Sequence, residues 1–208
     1  MGDTPSVIQK RVRWLEELGR TRLSQHFFLR DFLNSEIAQV FGLLNAPDDP
    51  DLAIEAGRHL CETLLEPLKA AFGDVRIRSG YRSPEVNGVG NRYGLGCAAN
   101  ERNYAGHIWD RLDDAGRMGA TATIVIPWFV DRYQRGADWR SLAWWIHDNL
   151  DYSYLCFYPK LAALNVQWRE EPERRITSWA KPRGTLTQPG MSNHAGRHDE
   201  LYADFPKY

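Results

Sequence analysis

The spacing of apolar positions predicts that the first part of the chain is helical. Apolar residues recur at helical intervals in residues 7–18 and again in residues 24–42, with charged residues between them. An acidic residue directly before Pro50 marks the start of a further helix, because carboxylates cap helix N-termini and proline is tolerated in the first turn. We expect that helix to continue to Phe72.

Later segments have the composition of strands. Four runs rich in β-branched and aromatic residues predict strands at residues 75–78, 122–127, 152–158 and 163–168. A helical pattern at residues 139–150 precedes the third strand, whereas the glycine- and asparagine-rich stretch 87–105 predicts a long loop. This order of elements predicts an α+β fold in which helices flank a small antiparallel sheet.

The regular pattern ends near Lys181. Prolines and glycines interrupt every element beyond this point, and apolar residues become sparse. The chain therefore divides into an N-terminal helix (1–22), one domain (23–180) and an extended C-terminal arm (181–208). Such a segment cannot form a core of its own, so we expect the arm to lie on a neighbouring subunit, with Tyr202 and Phe205 as its contacts. The alternative is a tail folded back over its own domain.

Composition and charge argue against several classes of function. The chain has 26 Lys and Arg against 27 Asp and Glu, a balance without the basic surface expected of a nucleic-acid-binding protein. No run approaches the roughly 20 apolar residues that span a bilayer, and the first residues lack the features of a signal peptide. We therefore expect a cytoplasmic product without a membrane or nucleic-acid partner. Cys61, Cys97 and Cys156 are unclustered, which suits free thiols and argues against cysteine-bound zinc.

Three short motifs resemble those of a known family. They are Leu23-Ser24-Gln25-His26-Phe27 with Leu29-Arg30-Asp31-Phe32-Leu33, then Leu65-Glu66-Pro67-Leu68, and then Ile77-Arg78-Ser79-Gly80-Tyr81-Arg82-Ser83 with Val86-Asn87. Over residues 23–176 the chain resembles the zinc D-Ala-D-Ala carboxypeptidase-like peptidases of phage and bacteria, in the lysostaphin, DD-peptidase and hedgehog superfamily. The resemblance implies a DD-peptidase/hedgehog-like fold and peptidoglycan as the ancestral substrate.

The family's zinc site leaves two alternative positions for the first ligand pair in this chain. In the family, zinc is held by a His, an Asp seven residues later and a second His, while a nearby Glu acts as general base. His107 and Asp114 have the required spacing. However, residues 119–127 resemble the strand that carries the family's Asp, and this alignment puts Gly116 and Thr123 at the His and Asp positions. We favour the second alignment because it matches more residues.

The remaining catalytic positions do not depend on that choice. By the same resemblance, Tyr158 stands in place of the general base and Asn165 in place of the last zinc ligand. An amide is a poor zinc ligand, and a phenol with a pKa of about 10 is a weak base at neutral pH. The resemblance thus implies a degenerate site without zinc. Arg82 would still bind a carboxylate there, together with Tyr81, Tyr158 and Asn165. The alternative for Arg82 is an ion pair that holds its loop to the sheet.

Other histidines and acidic residues could form a metal site at a position different from the family's zinc site. His107, Asp110 and Asp114 could form one, although a charged surface segment around a buried tryptophan explains the same residues. His194 and His198 are four residues apart, as metal ligands on one helical face often are. A glycine between them disfavours a helix, so contacts with solvent or a partner are the alternative.

These observations favour a catalytically inactive DD-peptidase-like domain that acts as a structural or binding component of a phage virion. Its expected partners are neighbouring protein subunits, including copies of itself, and a peptidoglycan fragment. Two alternatives stay open: a zinc-dependent peptidoglycan D,D-peptidase, either endolysin or carboxypeptidase, and a peptidoglycan- or glycan-binding module. Zinc would be the cofactor only in the first of these.

Overall fold

Helices precede most of the strands in the computed structural model, which describes residues 4–207. The first three residues of the predicted N-terminal segment, and Tyr208 of the predicted arm, lie outside the described residues. The helices are α1 (Pro5–Gly19), α2 (Glu36–Phe41), α3 (Pro50–Leu60), α4 (Glu66–Phe72), α5 (Pro84–Arg92), α6 (Asn100–Asn103), α7 (Pro127–Gln134) and α8 (Trp139–Asn149). The strands are β1 (Arg76–Ser79), β2 (Gly119–Val125), β3 (Tyr154–Phe157), β4 (Leu164–Arg169), β5 (Arg175–Ser178) and β6 (Gly184–Thr187).

The described strands form one mixed sheet with the order β1-β2-β4-β3-β5-β6. Every neighbouring pair is antiparallel except β3 and β5, which run parallel. The predicted α+β class is confirmed, whereas the prediction of a purely antiparallel sheet is wrong for this pair. The reason is the connection at residues 170–174. It passes the first residue of β3, so β5 begins beside that residue and runs parallel to β3.

The predicted helix from Pro50 to Phe72 is present as α3 and α4, joined by one wide helical turn. Its leucines follow one another at about one helical turn, and Leu60, Leu64 and Leu68 are all buried. They face the sheet, where α3 packs against β2 and β4. This layer of helix on sheet is the main core of the domain.

Residues 87–105 contain helical turns where the composition predicted a long loop, so that prediction is wrong. Ser83 caps α5, because its Oγ accepts a hydrogen bond from the amide of Val86 at 3.2 Å. The buried side chain of Asn87 then ties α5 to α6, since its Nδ2 donates to Oδ1 of Asn100 at 2.8 Å. The asparagines that suggested a loop are therefore the residues that join two helices.

The loop after β1 is held against the N-terminal part of the domain at its glycine. A Cβ atom on Gly80 would lie 2.6 Å from Cβ of Phe32, so only glycine fits there. Asn45 secures both sides of Arg82. Its Nδ2 donates to the carbonyl oxygen of the preceding residue at 2.9 Å, and its Oδ1 accepts from the amide of the following residue at 2.8 Å. The backbone of Arg82 is thereby fixed relative to the core.

The substitution Gly80→Ala is expected to destabilise the domain by about 1–3 kcal/mol, because the added methyl group must displace Phe32. Gly88→Ala is the matched control. Gly88 lies within α5, where a Cβ atom would be 3.8 Å from its nearest neighbour. Alanine there should be neutral or stabilise the domain by up to about 1 kcal/mol. Urea unfolding measures both changes, and equal destabilisation of the two variants would contradict the close packing at Gly80.

The C-terminal segment packs on its own domain. Strand β6 pairs with β5 at the edge of the sheet. The buried Tyr202 donates a hydrogen bond to Oδ2 of Asp148 at 2.8 Å, and the ring of Phe205 lies 5.1 Å from that of Trp128. The prediction of an extended arm is therefore wrong for residues 181–207. Of the two predicted partner contacts, Tyr202 lies in the core of its own chain and the partly buried Phe205 packs against that core.

Phe205→Ala is expected to lower the free energy of unfolding by about 2 kcal/mol, because the ring fills a partly buried aromatic cluster. Leu201→Ala is the control, since Leu201 is 48% exposed and its loss should cost less than about 0.5 kcal/mol. Denaturant unfolding compares the two variants. A Phe205→Ala protein that keeps its stability but no longer assembles with other subunits would restore the partner-contact hypothesis.

Candidate functional site

Two neighbouring strands place Thr123 and Asn165 opposite each other. Thr123 on β2 pairs with Asn165 on β4 in the antiparallel register. The Thr123 hydroxyl donates to Oδ1 of Asn165 at 2.6 Å, and Nδ2 of Asn165 donates to the hydroxyl of Tyr158 at 3.2 Å. Three of the four residues that the resemblance assigns to the zinc site thus form one hydrogen-bonded chain. We call it the Thr123–Asn165–Tyr158 chain.

Every group in the Thr123–Asn165–Tyr158 chain is uncharged at neutral pH. Burial raises the pKa of the Tyr158 phenol, and the neighbouring Cys156 adds to the increase. The phenol therefore stays protonated and cannot act as a general base at neutral pH. The amide oxygen of Asn165 already accepts the threonine hydroxyl, so the side chains satisfy one another without an ion.

Gly116, the fourth residue of the favoured alignment, does not join this chain. It lies in an exposed turn before β2 with a φ of 77°, and a Cβ atom on it would meet nothing within 4 Å. The turn closes on itself through a hydrogen bond from the Gly116 amide to the carbonyl of Asp113. The predicted cluster therefore has three members instead of four, because the chain reverses direction before β2 begins.

Arg82 is half-buried, and within residues 4–207 its side chain donates to neutral acceptors. Its Nη1 donates to Sγ of Cys97 at 3.3 Å and its Nη2 to Oγ of Ser79 at 3.4 Å. No carboxylate among residues 4–207 forms an ion pair with it. Its positive charge opposes the rise in the pKa of the Tyr158 phenol. The arrangement leaves a cation available for an anionic ligand.

His107 is hydrogen-bonded to the backbone of Gly80 and of Arg82. Its Nδ1 donates to the carbonyl of Gly80 at 2.8 Å, and its own carbonyl accepts the Arg82 amide at 2.8 Å. Burial, and then the positive charge of Arg82, lower the pKa of His107 to about 3, so the imidazole is neutral. Asp114, by contrast, is exposed in the turn before β2. The two residues of the alternative ligand pair therefore differ in environment, because His107 is buried and Asp114 is exposed.

Metal-binding groups are absent from the described part of the chain. Among residues 4–207, no three or more His, Cys, Asp or Glu side chains are placed to hold a metal ion. Asp110 of the hypothetical relocated site is buried, and its Oδ2 accepts from the amide of Asp48 at 2.8 Å and from Nη1 of Arg111 at 3.3 Å. It joins the segment before α3 to the loop before β2.

Tyr81 was predicted as a ligand-binding residue, but the structure places it in the core. The side chain is 0% exposed, and its hydroxyl donates to the carbonyl of Ala46 at 3.3 Å. It therefore supports the loop that carries Arg82 and does not reach a ligand. Sequence reasoning missed Ser79 and Cys97, the two acceptors of Arg82. Ser79 stands on the motif's own strand, whereas no sequence signal connects Cys97 to the site.

The histidines near the C-terminus hold that segment against α8. Nδ1 of His147 accepts from the hydroxyl of Tyr152 at 2.7 Å, and its Nε2 donates to the carbonyl of His194 at 2.9 Å. His198 contacts Oδ1 of Asp148 at 2.8 Å. These contacts explain the spacing of His194 and His198 by packing within the chain.

Acidification is expected to weaken this attachment. Burial lowers the pKa of His147 and of His194 below the ordinary value of 6.5, so both are neutral when folded. Protonation favours the unfolded chain, and the stability that they contribute above pH 6.5 is lost as the pH falls below it. The melting temperature should fall by roughly 2–4 °C between pH 7.5 and pH 5.5. His147→Gln should reduce this dependence, and an unchanged pH profile would contradict the assignment.

Comparison with known proteins found no match to a family model, to a curated protein or to a solved structure. The resemblance to DD-peptidases consequently stays a prediction from the motifs. Within residues 4–207, no helix combines the length and apolar character needed to cross a membrane.

Proposed function

We propose that this chain is a DD-peptidase-like domain without catalytic activity, and that it binds a carboxylate-bearing ligand at the face around Arg82. The observation that carries the proposal is the Thr123–Asn165–Tyr158 chain. It occupies positions that the resemblance assigns to two zinc ligands and the general base, and its groups are neutral and bonded to one another.

Amide hydrolysis by a zinc peptidase needs an electrophilic metal and a base that activates water. A threonine hydroxyl, an amide and a protonated phenol supply neither function. Loss of the general base alone lowers the rate by a factor on the order of hundreds to thousands. With the metal ligands replaced as well, we expect no measurable turnover.

Binding of a carboxylate is supported by the environment of Arg82. The guanidinium is half-buried and, in the part of the chain that the structure describes, donates to a thiol and a hydroxyl. A ligand carboxylate would replace these weak acceptors with charge-assisted hydrogen bonds. A peptidoglycan stem peptide, which ends in a carboxylate, has the chemistry that this proposal requires.

The resemblance to phage-type relatives supports a virion setting for this binding role. Tyr202 lies in the chain's own core and Phe205 packs against that core, so contacts with other virion subunits would use other surfaces. A zinc-dependent D,D-peptidase is the second candidate. It is favoured by one observation: Nδ1 of His107 donates to a carbonyl, which leaves Nε2 unprotonated, as in histidines that bind metals.

The test uses a muramoyl pentapeptide ending in D-Ala-D-Ala, with and without added zinc. We expect no release of D-Ala above background, together with measurable binding by calorimetry. Arg82→Gln should weaken binding by about tenfold or more, because a charge-assisted hydrogen bond is lost. Arg78→Gln, at an exposed position on β1, is the matched control and should bind like the unmodified protein.

Each part of the proposal has its own contradicting result. Zinc-dependent release of D-Ala that disappears in His107→Ala would establish the peptidase alternative. Binding that survives Arg82→Gln, or binding to a glycan without a peptide, would place the ligand elsewhere and favour the glycan-binding module.

A further inference from the structure

A row of small, neutral, polar side chains crosses the sheet from β1 to β6. Each member pairs directly with the member on the next strand, so all of them lie on the same face. Hydroxyl, amide and thiol groups make up the whole row. We call it the polar row, and in the spatial order of the strands its members are Ser79, Thr123, Asn165, Cys156, Thr177 and Thr185.

The polar row lies on the face of the sheet that is turned away from the helical core. The residues next to the row along the strands point to the other face and are fully buried in the core: Ile124, Leu164, Leu155 and Ile176. Every member of the row except Cys156 is at least partly exposed. A ligand can therefore reach this face without displacing the core.

Two different side chains stand near the ends of the row. At β1, Arg82 donates to the hydroxyl of Ser79 at 3.4 Å. At β5, Trp179 follows Thr177 by two residues and is 61% exposed, whereas the residues on either side of it, 178 and 180, are buried. This alternation puts the indole on the same face as Thr177. The row thus runs between a cation and an exposed indole.

The backbone of Trp179 is fixed although its ring is exposed. Its amide donates to the carbonyl of Phe157 at 2.8 Å, and its carbonyl accepts from Nε of Arg183 at 3.1 Å. Trp179 is the most exposed tryptophan within residues 4–207. An indole on a fixed backbone loses little conformational freedom when a ligand packs on it. The ring is therefore suited to serve as a binding platform.

The separation of the two ends matches a short peptide. From β1 to β5 there are four steps between neighbouring strands, which is about 19 Å at 4.7–4.9 Å per step. An extended peptide covers about 3.3–3.6 Å per residue, so about five residues span this distance. The hydroxyl and amide groups of the polar row can exchange hydrogen bonds with the amides of such a peptide.

From these observations we infer that the polar row binds a peptide of about five residues that carries a sugar ring at its N-terminal end. The C-terminal carboxylate lies at Arg82, and the sugar ring packs on the indole of Trp179. The C–H face of a sugar is apolar and suits an aromatic surface, while its hydroxyl groups stay in water. The inference rests on the carboxylate binding proposed for Arg82 and adds the direction of the ligand and its sugar contact.

The test compares two probes by calorimetry: muramoyl pentapeptide ending in D-Ala-D-Ala, and the same pentapeptide with an acetyl group in place of the sugar. Trp179→Ala should weaken binding of the muramoyl probe by at least about fivefold and leave the acetyl probe unchanged, because only the first has a ring for the indole. Trp179→Phe should retain most of the affinity. Trp14→Ala is the matched control, since Trp14 is 39% exposed on α1, and should bind both probes normally.

Far-UV circular dichroism checks that each variant is folded. Unchanged binding of the muramoyl probe by Trp179→Ala would overturn the inference, while a loss of both probes in Arg82→Gln would still support the carboxylate site. If Trp179→Ala weakens both probes equally, the indole contacts the peptide and the sugar contact is wrong. If neither probe binds to the unmodified chain, this inference and the carboxylate site are both overturned.

Discussion

The close approach of Gly80 to Phe32 determines where the candidate site lies. No side chain fits at Gly80 between the loop after β1 and the N-terminal part of the domain. The Gly80 carbonyl accepts a hydrogen bond from the imidazole of His107. The backbone carbonyl of His107 in turn accepts a hydrogen bond from the backbone amide of Arg82. One steric contact thus sets the position of a buried neutral imidazole and of the cation beside it. A shift at the glycine would move the whole face on which the proposed ligand binds.

Local patterns in the sequence predicted most of the helices and four of the strands. The helix from Pro50 to Phe72 carries its own start signal and a leucine stripe, so no tertiary information was needed. Strands β5 and β6 were missed because they are short and follow turn-forming residues. β5 pairs with β3, which is not adjacent to it in the sequence, and β6 in turn pairs with β5. The same applies to Phe205, whose apolar neighbours come from elsewhere in the chain.

The sequence predicted the part of the candidate site whose residues are brought together by the register of neighbouring strands. Thr123, Asn165 and Tyr158 come together because adjacent strands place them on one face, and a strand alignment contains that information. Gly116 was misplaced because the turn before β2 cannot be derived from spacing alone. Cys97 was missed because nothing in its neighbourhood marks it as an acceptor for Arg82. The burial of Tyr81 likewise became visible only with the packing around it.

The position of the last strand has a consequence for how the protein is made. Residues 184–187 complete the sheet, and Phe205 closes the aromatic cluster near the end of the chain. A nascent chain from which residues 184–207 have not yet emerged lacks both, so the core cannot close until this segment is available. Chains that terminate early expose the free edge of β5 and the ring of Trp128, features that promote aggregation and degradation. Synthesis as far as Phe205 is thereby a condition for a stable fold.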